Sequence, residues 1–81
     1  MERIEVKVES NGNALFMIGN RKVLGYYPAK GKHHLIPADM PSQTYDKGLD
    51  ATRAIRDILT KAGGDFKEFQ FRSQNPFLFP L

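Results

Sequence analysis

The residues able to do chemistry are few and poorly grouped. His33-His34 with Asp39 are the only set that suggests a metal ion. Neighbouring histidines on a strand point to opposite faces, and a metal site needs three or four converging ligands, so this spacing predicts no metal centre. Ser10, Ser42 and Ser73 are available nucleophiles, yet none lies in the strand–turn–helix glycine setting of a nucleophile elbow. Asp39, Asp46 and Asp50 fall at turn or capping positions and not as a facing carboxylate pair. Gly63-Gly64 follows a helical pattern, whereas phosphate-cradling loops precede one. This inventory predicts a protein that is not an enzyme and uses no cofactor.

Two groups suggest binding instead. Between Ser10 and Ala38 there is no acidic residue, while Arg21, Lys22, Lys30 and Lys32 all lie there. Tyr26, Tyr27 and His33 sit among them and offer rings for stacking. Together they could track a nucleic-acid backbone through counterion release. A solvated basic loop is the plainer reading. The second group is C-terminal. Phe77, Leu78, Phe79 and Leu81 make a tail too apolar for an ordinary disordered end. Such residues cover the chain's own sheet or pack on another chain, so they are the expected partner-binding set. The expected partners are a second copy, with a dimer favoured, or another protein; nucleic acid is the alternative.

Elements must hold these groups in place. In residues 50–62, Ala51, Ile55, Ile58, Leu59 and Ala62 share one helical stripe. Asp50 is the expected N-cap, and Gly63-Gly64 the expected stop. Arg53–Asp57 and Asp57–Lys61 are spaced for exposed ion pairs. Residues 2–9 alternate charge with Ile4, Val6 and Val8, which reads as a half-buried strand. Ser10 to Asn13 reads as a turn, and residues 14–18 as a central strand. Residues 22–27 form a third strand, expected to stop at Pro28. Residues 28–48 read as irregular, with at most a short strand at His33–Ile36. Residues 67–72 alternate again, placing Phe69 and Phe71 together as a further strand, and residues 73–81 are the apolar tail. The expected architecture is a single α+β domain over residues 1–81: a three- to four-stranded antiparallel meander, one amphipathic helix, a last strand and a tail.

Eighty-one residues allow one thin core. No cysteine is present, so disulfides and thiolate zinc sites contribute nothing. No run approaches the ~20 apolar residues of a membrane span, and the alternating start is unlike a signal peptide. A cytoplasmic protein off the membrane is expected. The net charge of +3 permits nucleic-acid contact without requiring it.

Residues 10–64 resemble the YegP-like family of small β-β-β-α domains. The resemblance rests on Ser10-Asn11-Gly12 followed by Phe16, on Gly19-Asn20 with Val23-Leu24-Gly25, on Ser42-Gln43-Thr44-Tyr45 before the helix, and on Ile55 and Ile58 within it. It departs in roughly a dozen extra residues around Pro28 to Pro41 and in everything from Phe66 onward. Similar members often carry two copies that pack together. The resemblance therefore implies self-association of a single copy.

Overall fold

The alternation at the start of the chain does what a half-buried strand requires. In the computed structural model, which describes residues 2–65, β1 (Glu2–Val8) buries Ile4 and leaves Arg3, Glu5 and Lys7 exposed. The turn that follows is a type I turn with a glycine bulge. Gly12 has φ 93, its N–H donates to the Glu9 carbonyl at 3.0 Å, and the Glu9 N–H donates to the Asn13 carbonyl at 2.8 Å. β2 (Ala14–Ile18) then runs antiparallel to β1, with Ala14, Phe16 and Ile18 buried.

β3 (Arg21–Ala29) differs from expectation in two ways. It does not stop at Pro28 but pairs through it, Pro28 opposite His33 and Ala29 opposite Lys32. Ala29 and Lys32 close the hairpin, so the next pair is of the non-hydrogen-bonded kind. The nitrogen of Pro28 therefore points past the end of β2, where no ladder bond is lost. The second difference is a bulge. Phe16 pairs with Leu24 but Met17 with Lys22, leaving Val23 as the extra residue.

Residues 28–48 are not irregular. They contain β4 (Lys32–Pro37) and β5 (Gln43–Tyr45), both antiparallel to their neighbours. Ser42 to Tyr45 is thus mostly an edge strand, where the resemblance implied a simple lead into the helix. The β3–β4 turn is Lys30-Gly31, with φ 52 and 77, the geometry of a type I′ hairpin. A left-handed lysine is strained by roughly 1–2 kcal/mol, and asparagine tolerates that region better. Lys30→Asn should therefore raise stability by about 0.5–1 kcal/mol, read as a Tm increase of a few degrees in thermal melting. No change or a decrease would mean that the lysine strain is relieved locally.

The helix, α1 (Gly48–Lys61), buries Ala51, Ile55, Ile58 and Leu59 as its stripe requires. Asp50 is not the cap. The helix begins two residues earlier, after an extended Lys47 with no side-chain cap bond, and Asp50 sits in the first turn, where its charge still meets the positive dipole end. Of the two expected ion pairs, Lys61–Asp57 forms at 3.1 Å. Gly63, at φ 91, ends the helix, and β6 (Gly64–Asp65) follows at once. β6 pairs in parallel with Glu2 and Arg3 of β1, giving the order β5-β4-β3-β2-β1-β6.

The fold is α+β: a curled five-stranded antiparallel meander, a short parallel addition at one edge, and one helix across one face. Phe16, Ile18, Leu24, Tyr26, Leu35, Ile55 and Leu59 are fully buried between that face and the helix. The strand expected at 67–72 and the tail at 73–81 lie outside the described residues.

Candidate functional site

Helix and sheet divide the basic group instead of gathering it. Tyr26 is buried under the helix, so it cannot stack on a base. Its hydroxyl shares a 2.8 Å hydrogen bond with Nδ1 of His33, and the two rings stack with centroids 5.9 Å apart. Both residues thus face the core side. Their inward direction follows from the bulge at Val23, which resets the alternation of β3. Arg21 also turns inward, and its guanidinium donates to the Ala62 carbonyl at 3.0 Å, satisfying an acceptor left over at the helix C-terminus. Lys32 pairs with Asp46, and that contact holds the Asp46 carboxyl below its ordinary value. Lys30 stands at the hairpin tip. Of the set, Lys22, Tyr27 and Lys32 lie on the sheet face away from the helix.

Burial pushes the Tyr26 hydroxyl above its ordinary value of 10.0. The folded state then holds this proton more tightly than the unfolded state. The stability it contributes is complete below pH 10 and is lost as pH climbs through the folded value. Urea midpoints should therefore fall above that pH, and Tyr26→Phe should flatten the fall while losing about 0.5–1.5 kcal/mol at neutral pH. An alkaline profile identical in both proteins would assign the fall to other groups.

The face without a helix carries what the sequence reading did not assemble. Pairing places Lys7, Leu15, Gly25 and Ile36 in one row across four strands. The Tyr27 ring lies flat over Gly25; a Cβ there would come within 2.7 Å of the ring. Tyr27 is still 39% exposed and Ile36 is 51% exposed. Leu15 and Met17 are half-buried beside them. A hollow of about 190 Å³ opens between Lys7, Glu9, Leu15, Lys22 and Tyr27. Along the rim, Arg3, Glu5, Lys7 and Glu9 alternate in sign on this one face. The alternation of charge was visible in the sequence, and so were the apolar Leu15 and Met17. Ile36 was hidden in a stretch read as irregular.

A second hollow, about 240 Å³, lies at the helix C-terminus between Val23, Met40 and Ile58. Of its three cations, Arg21, Lys22 and Lys61, the first and last are engaged by Ala62 and Asp57. His33 and His34 diverge: His34 Nδ1 lies 3.1 Å from the Thr44 hydroxyl on the opposite face. Among the described residues no three His, Cys, Asp or Glu side chains group to hold a metal. No helix among them is long and apolar enough to cross a membrane. Phe77, Leu78, Phe79 and Leu81 lie outside the described residues. Among the described residues, the fold and its surface define a one-helix α+β domain with one sheet face uncovered. No family model, curated protein or solved structure matches the chain.

Proposed function

We propose that this protein is a cytoplasmic, non-enzymatic interaction module that self-associates through the uncovered face of its sheet, with a two-fold dimer as the simplest closed form. The observation that carries the reading is the apolar centre made by exposed Tyr27 and Ile36 with half-buried Leu15 and Met17. A second copy suits it because the rim is self-complementary. Two β1 strands laid antiparallel across a two-fold axis set Arg3 against Glu9 and Glu5 against Lys7. Exposed pairs of this kind fix register and contribute little affinity, about 0–1 kcal/mol each. The apolar centre supplies the rest. The tail residues Phe77, Leu78, Phe79 and Leu81 belong to the same proposal as added apolar area. The nucleic-acid reading draws less support, because Tyr26, His33 and Arg21 are turned to the helix side.

Light scattering tests the proposal. At ~100 µM the full chain should have twice its monomer mass, a concentration that populates dimers of micromolar affinity. Ile36→Lys should give a monomer of unchanged Tm, and removal of residues 76–81 should weaken the dimer. A wild-type monomer at that concentration overturns the reading.

A further inference from the structure

We propose that Asn11 is a site of covalent modification, where the side-chain carboxamide is lost as ammonia, and that the β1–β2 turn holds this reaction shut until the Gly12 amide is released. Of the four asparagines, Asn11 alone precedes glycine; Asn13 precedes Ala14, Asn20 precedes Arg21 and Asn75 precedes Pro76. The backbone nitrogen after an asparagine is the nucleophile that reaches its Cγ. Glycine leaves that nitrogen unshielded by a Cβ, and proline has no N–H to lose. Asn11 is exposed at the end of the hairpin, so water and base reach it. In the folded turn, however, the Gly12 N–H donates to the Glu9 carbonyl at 3.0 Å. The Asn11 Oδ1 accepts from the Asn13 N–H, also at 3.0 Å. The first bond holds the proton that must leave, while the second polarises Cγ as an electrophile. A single hydrogen bond, and not the whole fold, therefore separates the resting turn from a reactive one.

The chemistry balances without an oxidant or a reductant. The Gly12 nitrogen gives its proton to base and bonds to Asn11 Cγ. The Cγ–Nδ2 bond then breaks, and Nδ2 takes a proton and leaves as ammonia. Water opens the resulting five-membered cyclic imide at either carbonyl. Opening at Cγ leaves aspartate; opening at the main-chain carbonyl leaves isoaspartate, in which the backbone runs through Cβ and Cγ. Either product places a carboxylate in the stretch from Ser10 to Ala38 that has none, and lowers the net charge by one, from +3 to +2. Isoaspartate also lengthens the backbone inside a turn whose length sets Val8 opposite Ala14. The altered turn does not close as before, so an opening of this hairpin leaves a permanent chemical mark. The inference does not depend on self-association, and would hold in a monomer.

Two rates measured on the full chain at mildly alkaline pH test it. Peptide mapping by mass spectrometry follows the gain in mass at Asn11, and hydrogen exchange resolved by residue follows the Gly12 amide. Both processes begin with loss of the same proton, so both should be slowed by the same factor relative to the urea-unfolded chain, about tenfold or more. A peptide of residues 8–14 should convert as fast as the unfolded chain. Asn11→Asp is the blank, folded and without the mass gain. Conversion of the folded chain as fast as the peptide would overturn the proposal, because the turn would then not gate the reaction. So would a retardation far beyond the Gly12 protection, which would require the whole domain to unfold first, and so would an unfolded chain that gains no mass at Asn11.

Discussion

Phe16→Ala should destabilise this protein more than any surface change, by about 3–5 kcal/mol. Phe16 stands on the central strand, fully buried, with Val6 opposite on one side and Leu24 on the other. The helix residues Ile55 and Leu59 belong to the same buried cluster. Truncation removes the transfer energy of the ring and leaves a cavity that β-sheet neighbours cannot close. A domain this small holds stability near the low end of the usual ~5–15 kcal/mol, so the variant should lie at or below the folding threshold at 37 °C. Met17→Ala, one residue along and on the opposite face, should cost under about 1.5 kcal/mol. Urea denaturation followed by circular dichroism compares them. Equal midpoints for the two variants would mean that the helix does not pack over this strand.

The second large effect is expected at Gly64. A Cβ there would come within 2.7 Å of Ile4 Cγ1 and 3.0 Å of the Leu59 carbonyl, one a core side chain and the other helix backbone. Ile4 is buried and cannot swing into solvent without opening the core. Gly64→Ala should therefore cost about 1–3 kcal/mol by overpacking, more than alanine costs at the left-handed but unobstructed Gly31 once that turn's own strain is counted. A paired variant, Gly64→Ala with Ile4→Val, should recover part of the loss because it removes Cδ1, which lies 2.8 Å from that Cβ. Failure to recover would place the strain on the Leu59 carbonyl.

What was readable in the chain depended on whether polarity followed geometry. Ile55, Ile58 and Leu59 fall at helical spacing with charges between them, and the helix formed where that spacing put it. β1 and β2 were equally plain. β4 was not, because its inward positions are His33, Leu35 and Pro37, of which Leu35 alone looks like core. Whether the Tyr26 ring faces solvent is not legible in the residue types, because the bulge at Val23 moves the parity of β3 and nothing in the sequence announces a bulge. Arg21 could not be assigned from sequence at all. Its partner, the Ala62 carbonyl, comes from the far end of the helix and is brought close only by the completed fold. The candidate interface was half legible: its charges and Leu15 and Met17 were on the page, while its fit around Tyr27 and Gly25 required the pairing of strands.

The parallel rungs between β1 and β6 also bear on kinetics. Each hairpin of the meander closes a short loop, whereas Glu2 and Gly64 meet only after nearly the whole described chain has been drawn in. Closure entropy grows by about 0.6 kcal/mol for each doubling of loop length, so this contact faces about 2–3 kcal/mol more than a hairpin does. It should form after the rate-limiting step, so substitutions at Gly64 should accelerate unfolding and leave the folding limb of the chevron in place.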